Sequence, residues 1–112
     1  SKLSRSDGEI DWSKSAESIE RKIRAFDPWP GTFTYFPDGT LVKIFPPVSI
    51  EKNRDGEPGV IISTQSDHVT VSCGVGAMSF SSIQPAGRKK MSLSSYMAGK
   101  NIEPGAFLGI KK

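Results

Sequence analysis

The sequence is poor in the residues that disulfides, metal sites and covalent catalysis use, since it has one cysteine and one histidine. A single cysteine, Cys73, excludes an internal disulfide, which agrees with a reducing cytoplasm. It lies in the run VTVSCGVG, where a small residue at the end of a strand is a simpler interpretation than a nucleophile. His68 has no second ligand at the spacing of a metal site, so we predict no metal. No strained, glycine-flanked serine accompanies it, so we also predict no catalytic residue.

Long apolar runs and nucleotide-binding motifs are also missing from the sequence. No run approaches the roughly 18 apolar residues of a membrane span, and no apolar stretch follows a basic N-terminus. Gly74 and Gly76 lack the third glycine and the helix of a dinucleotide-binding loop, and there is no phosphate-binding P-loop. We therefore predict a cytoplasmic protein with no membrane association and no cofactor bound by this segment.

The residues that are present have the composition of one globular domain with an uneven charge. The 112 residues fit a single core, and the formal net charge is +3. Basic and acidic residues balance up to residue 56, whereas after residue 84 only Glu103 opposes six basic residues: Arg88, Lys89, Lys90, Lys100, Lys111 and Lys112. Such a local excess attracts a polyanion, although a merely solvated face has the same composition.

The N-terminal part predicts a polar lead-in followed by a helix. Residues 1–10 have no hydrophobic period, whereas apolar residues recur at helical spacing from residue 16 to residue 26. Ser13 or Ser15 is the predicted N-cap. The two prolines that follow disfavour a continued helix, so we expect it to end near residue 26.

The motif that ends this helix is interpreted as structural. Trp29 stands between Pro28 and Pro30, directly after Phe26 and Asp27. A backbone restrained by proline loses little entropy when its ring is buried. We therefore predict that Trp29 is a rigid plug beneath the helix and that Phe26, Pro28 and Pro30 support it.

The remaining residues predict short strands with turns between them. The run TFTYFPDGTLVKIF is typical of a hairpin around Pro37-Asp38-Gly39. Further strands are predicted at VIIST, HVTVSC, MSFSSI and EPGAFLGI, and KKMSLSSYMAGK predicts a short helix capped by Ser92 and closed at Gly99. The predicted fold is mainly β: a small OB-like β-barrel of five to six strands with an N-terminal helix and a short C-terminal helix.

The hairpin aromatics have two interpretations. Exposed rings at Phe33, Tyr35 and Phe36 could stack nucleobases, as OB folds do. Strand alternation, however, puts Phe33 and Tyr35 on one face and Phe36 on the other, with Thr32 and Thr34. We therefore expect at least one of these sets to face the core.

Several motifs together resemble the C-terminal domain of methionyl-tRNA formyltransferase. They are KLSRSDGEIDWSKSAESIERKIRAFDPWPG at residues 2–31, Pro58-Gly59, CGVGA, IQPAGRKKMS at residues 83–92, and Pro104-Gly105. The first string is specific, and the similarity spans nearly the whole chain.

The resemblance implies a parent enzyme that transfers a formyl group from 10-formyltetrahydrofolate to methionine on the initiator tRNA. In that family, folate binding and the catalytic residues belong to an N-terminal domain. We accordingly expect residues 1–12 to be the lead-in from that domain and residues 13–112 to be an OB-like domain without catalytic residues. The expected partners are the phosphate backbone of initiator tRNA and the N-terminal domain in cis, and the expected state is a monomer.

The candidate RNA-binding residues follow from charge and from this resemblance. Arg88, Lys89 and Lys90 are the first candidates, and Lys2, Arg5, Arg21 and Arg24 come next. One alternative is a scaffold or oligomerisation domain of a small-molecule formyltransferase, acting on a sugar nucleotide or folate without nucleic acid. Another is a free-standing OB protein that binds single-stranded nucleic acid.

Overall fold

A computed structural model of the chain describes residues 8–54, 56–100 and 102–110. In this part, helix α1 (Ala16–Phe26) precedes eight strands and helix α2 (Leu93–Gly99) follows them. The strands are β1 (Thr32–Tyr35), β2 (Leu41–Phe45), β3 (Ser49–Glu51), β4 (Ile61–Thr64), β5 (Val69–Ser72), β6 (Ala77–Phe80), β7 (Ser82–Pro85) and β8 (Met91–Ser92). The predicted mainly β class with an N-terminal and a short C-terminal helix is confirmed. No helix in the described ranges is long and apolar enough to cross a membrane.

Helix α1 begins and ends where its capping residues predict. The Ser15 side chain accepts a hydrogen bond from Ser18 N at 3.1 Å, which satisfies one of the free N–H groups of the first turn. The helix ends at Phe26, and Asp27 has an extended backbone ahead of Pro28. The buried side of the helix has the predicted apolar spacing, with Ala16, Ile19 and Ile23.

The strands form two four-stranded sheets in which all neighbours are antiparallel. The first sheet has the order β1-β2-β7-β8 and the second has the order β3-β6-β5-β4. Helix α1 contacts strands of both sheets. The core includes fully buried residues from the first sheet and the second: Val42, Ile44, Ile83, Val69, Val71, Met78 and Phe80.

The structure has eight strands where five or six were predicted, because MSFSSI is divided into β6 and β7 and the short strands β3 and β8 lie where no strand was predicted. Pro46-Pro47 lies between β2 and β3, and proline cannot donate a hydrogen bond to a strand ladder. Ser81 separates β6 from β7, which belong to different sheets. The last predicted strand makes a single isolated bridge through Phe107. Among the described strands no pairing joins the two sheets, so the predicted barrel is not closed.

Residues 8–12 pack against the domain, although they were predicted to belong to the lead-in. Ile10 N donates a hydrogen bond to Phe33 O at 2.8 Å, and the Ile10 and Trp12 side chains are buried. A Cβ on Gly8 would lie 2.2 Å from Gly31 O, so this contact requires glycine. The rest of the predicted lead-in, residues 1–7, lies outside the described residues.

Candidate nucleic-acid interface

The hairpin between β7 and β8 positions Arg88, Lys89 and Lys90, which we call the basic turn. Arg88 N donates to Pro85 O at 3.0 Å, and Gly87 between them has a φ of 76°, as the third position of a type II turn requires. Gln84 Nε2 donates a further hydrogen bond to Arg88 O at 2.9 Å. The three basic side chains are exposed. The backbone of Arg88 is therefore held by hydrogen bonds at both its N–H and its carbonyl group, and Lys89 and Lys90 follow it directly.

One member of the basic turn contacts the neighbouring sheet. Lys90 Nζ lies 4.5 Å from the centroid of the Phe45 ring, which is a cation–π distance. Phe45 belongs to β2, and β2 pairs with β7. The contact therefore holds Lys90 against the side of the first sheet that faces away from the core.

This outer face, formed by the outward side chains of β1, β2 and β7, is both aromatic and basic. Phe33 is opposite Lys43, and Lys43 is opposite Gln84, so the three side chains form one row across the strands. Phe33 and Tyr35 make an edge-to-face contact with ring centroids 5.9 Å apart. All of these side chains are half-buried.

The alternation predicted for the hairpin is confirmed. Thr32, Thr34 and Phe36 are buried, and the Phe36 ring packs edge-to-face on Tyr96 with centroids 5.5 Å apart. Phe36 therefore belongs to the core. Of the three rings suggested for stacking on nucleobases, only Phe33 and Tyr35 lie on the outer face.

A groove of about 380 Å³ opens on the outer face next to the basic turn. Its walls come from the loop after α1, from β1 and β2, and from the β7–β8 hairpin: Pro30, Phe33, Leu41, Lys43, Gln84, Pro85, Ala86 and Gly87. This groove was not predicted from the sequence, since the residues that form it are brought together by the pairing of β2 with β1 and with β7.

The basic candidates differ in their partners. Among the described residues, the ion pairs involve neither the basic turn nor Lys43. Arg24, by contrast, pairs with Glu20 through two hydrogen bonds, so its charge is offset. Arg21 is exposed on α1, a different element from the basic turn. Lys2 and Arg5 lie outside the described residues.

The prediction that Trp29 is a buried plug is wrong, because its side chain is 64% exposed. Gly31 N donates a hydrogen bond to Phe26 O at 2.8 Å, which joins the two ends of the loop after α1. Trp29 lies in the exposed middle of this loop. The buried member of the motif is Pro30, which lines the groove, whereas Pro28 is exposed and Phe26 is half-buried.

The buried tryptophan is Trp12, whose burial was not predicted from the sequence. Trp12 Nε1 donates a hydrogen bond to Thr34 Oγ1 at 2.9 Å. The indole also lies against Gly59 and Gly109. The signal that could have found it is the pair Ile10 and Trp12, which alternates with charged residues at the period of a strand.

Groups suited to covalent or metal chemistry do not accompany the groove. Burial raises the pKa of the Cys73 thiol to about 11, so the nucleophilic thiolate is scarce at neutral pH. Hydrogen bonds that Thr40 donates to the Asp38 carboxylate lower the pKa of Asp38. The same hydrogen bonds stabilise the turn between β1 and β2. In the described ranges, no three His, Cys, Asp or Glu side chains form a group able to hold a metal ion.

The two-sheet fold and the outer face define a small β domain with a cationic, partly aromatic surface. The chain matches the family described as "Formyl transferase, C-terminal domain" over residues 2–101, and it belongs to this family.

The chain is also similar to curated proteins named methionyl-tRNA formyltransferase. The protein of Gluconacetobacter diazotrophicus is 41% identical over 108 residues, which cover 96% of this chain and 34% of that protein. The protein of Marinobacter nauticus is 42% identical over 98 residues, which cover 88% of this chain and 31% of that protein. The chain thus spans about a third of the length of these relatives, as expected for their C-terminal domain.

Solved structures support the fold. HypX from Aquifex aeolicus, in a crystal structure with tetrahydrofolic acid, matches with a TM-score of 0.71 and 18% identity over 95% of this chain and 21% of that protein. A multiple variant of HypX matches with the same TM-score and 21% identity. At these identities the similarity concerns the fold alone.

Proposed function

We propose that the chain is the tRNA-positioning domain of a methionyl-tRNA formyltransferase, acting in translation initiation in the cytoplasm. The observation that carries the proposal is the basic turn, whose three exposed cations have no carboxylate partner in ion pairs of the described residues. The family match and the formyltransferase relatives support the nature of the parent enzyme.

In this proposal the chemical step takes place outside the chain. The upstream N-terminal domain binds 10-formyltetrahydrofolate and transfers its formyl group to the amino group of methionine on the initiator tRNA. None of the residues described here is assigned to the folate or to the reaction. The contribution of this domain is to orient the tRNA while its acceptor end reaches the catalytic domain in cis.

Orientation of a folded RNA needs cations on a rigid frame more than it needs base-reading side chains. Folded RNA presents mainly phosphates and 2′-hydroxyls, and contacts to these groups set position without reading sequence. Arg88, Lys89 and Lys90 are the primary contacts in this proposal. Lys2, Arg5, Arg21 and Arg24 are secondary, and Arg24 is the weakest of the described ones because Glu20 offsets its charge.

The test is binding of initiator tRNA across a salt series, with the triple variant Arg88→Ala, Lys89→Ala and Lys90→Ala. Each neutralised phosphate releases counterions, so log K of the unchanged chain should fall linearly with log salt. The triple variant should bind more weakly, with a slope that is shallower by roughly 0.7 to 0.9 for each lost phosphate contact. Lys52→Ala with Arg54→Ala is the control, because both residues already pair with acids.

Two results would contradict the proposal. In one, the control and the triple variant lose affinity equally, so the basic turn has no special role. In the other, neither the folded chain nor the intact parent enzyme depends on the basic turn for tRNA binding.

A scaffold role is the second candidate, and exposed apolar side chains favour it. Trp29 and Val75 are 64% and 66% exposed, and such residues are suited to contact with another protein surface. A scaffold would bind no RNA even at low salt. Substitution of Trp29 would then weaken association with the catalytic domain.

A further inference from the structure

The groove on the outer face has the size and lining of a small ligand site. Its volume of about 380 Å³ is within the range of roughly 300 to 1,000 Å³ of typical ligand pockets. The lining is mainly apolar, with the polar groups of Lys43 and Gln84 on adjacent strands. A ligand for this groove therefore combines an apolar body with groups that a cation and a carboxamide recognise.

The charges around the groove select an anion. Lys43 lies in its wall and the basic turn begins at its edge, directly after Gly87. None of the groove-lining residues, all of which the structure describes, is acidic. A phosphate at this edge would therefore meet cations without repulsion from the walls.

Phe33 and Gln84 supply the groups that bind a flat heterocycle. The half-buried Phe33 ring lines the groove, and aromatic side chains stack bases of any sequence. Gln84 Nε2 already donates to Arg88 O. Its Oε1 remains an acceptor for an amino or imino group on the edge of a base.

We propose that the groove binds one unpaired nucleobase of the RNA, with the adjoining phosphates against Lys43 and the basic turn. The proposal rests on the RNA-binding function proposed above. It adds that this domain binds an unpaired nucleotide in addition to the phosphate backbone of the RNA. A peptide segment of the parent enzyme is the competing occupant, but a nucleotide supplies both the flat ring and the anion that the groove and its edge accommodate.

The test compares an unpaired oligouridylate with a blunt RNA duplex that has the same number of phosphates. The informative variant is Phe33→Leu, which keeps the groove apolar but removes the stacking ring. Phe107→Leu is the matched control, since it removes a partly exposed ring that lies outside the groove and makes its bridge with Val60 of the loop before β4. Thermal unfolding checks that both variants remain folded.

We expect Phe33→Leu to weaken binding of the oligouridylate about five- to hundredfold, because one stacked base is lost. Binding of the duplex should not change, and Phe107→Leu should leave binding of both RNAs unchanged. In the unchanged chain, oligouridylate should shift the backbone amide NMR signals of Ala86 and Gly87.

Three outcomes would overturn the proposal. If Phe33→Leu weakens both RNAs equally, the ring does not contact a base. A second outcome is that Phe33→Leu weakens binding of neither RNA, while the triple variant of the basic turn weakens binding of both. The RNA-binding function would then hold, and a peptide segment would be the better candidate for the occupant of the groove. If neither RNA binds to the unchanged chain at low salt, the proposed function fails together with the nucleobase site.

Discussion

At the scale of single residues, the two tryptophans have opposite environments and should have opposite effects on stability. We expect Trp12→Ala to lower the free energy of unfolding by about 3–5 kcal/mol, as for other buried aromatic residues. Trp29→Ala should change it by less than about 0.5 kcal/mol, because the side chain is 64% exposed. Urea denaturation of both variants measures the difference.

A third variant separates the hydrogen bond of Trp12 from its packing. Trp12→Phe retains most of the ring but loses the donor to Thr34 Oγ1, so we expect a loss of about 1 kcal/mol from the hydrogen bond, plus a packing contribution. Equal destabilisation by Trp29→Ala and Trp12→Ala would show that the loop after α1 is packed in solution.

At the scale of elements, the turn between β5 and β6 depends on the absence of a side chain at Gly74. A Cβ there would lie 1.9 Å from Ser13 O, so the segment before α1 would have to move. We expect Gly74→Ala to destabilise the chain by about 3 kcal/mol or more, at the upper end of overpacking effects. Circular dichroism during thermal unfolding measures this loss.

Gly87→Ala is the control for the turn variant because it isolates the backbone effect. Gly87 has a φ of 76°, but an added Cβ would have nothing within 4 Å. Only the cost of a left-handed residue remains, which is about 1–2 kcal/mol. If Gly74→Ala lowered the free energy of unfolding by no more than Gly87→Ala does, the backbone at Ser13 would be able to move away from the added Cβ at little cost.

Elements with local signals were predictable, whereas the groove was not. The caps at Ser15 and Ser92 and the Pro37-Asp38-Gly39 turn involve neighbours in sequence, so their chemistry appears in a short window. The predicted hairpin brings Phe33 opposite Lys43, but Gln84 joins this row only because the distant strands β2 and β7 pair, a choice that no local pattern encodes. Sequence reasoning could therefore identify the basic turn and the aromatic pair separately but could not predict that they lie side by side.

At the scale of the whole molecule, the N-terminal segment and the candidate interface meet at the same strand. Glu9 forms a parallel bridge with Phe33 of β1, and Phe33 lines the groove. The segment that leads into helix α1 therefore runs beside the strand that carries Phe33, so this segment and the outer face share β1.

The same contacts predict where the domain can be shortened. Removal of residues 1–12 deletes Ile10 and Trp12 from the core, together with Trp12 O, which accepts a hydrogen bond from Gly74 N. Two buried side chains contribute roughly 3–6 kcal/mol, against a total stability of about 5–15 kcal/mol for a typical domain. We expect this truncated chain to lose its cooperative urea transition.

Removal of residues 1–7 alone retains the described contacts of Ile10 and Trp12, so we expect this shorter truncation to keep a cooperative urea transition. The comparison of the two truncations by urea denaturation therefore locates the start of the folded domain. An unchanged transition after removal of residues 1–12 would mean that Ile10 and Trp12 contribute little to the core. The boundary after residue 12 would then be the correct one, and the segment from residue 8 to residue 12 would be free to act as part of a linker to the catalytic domain.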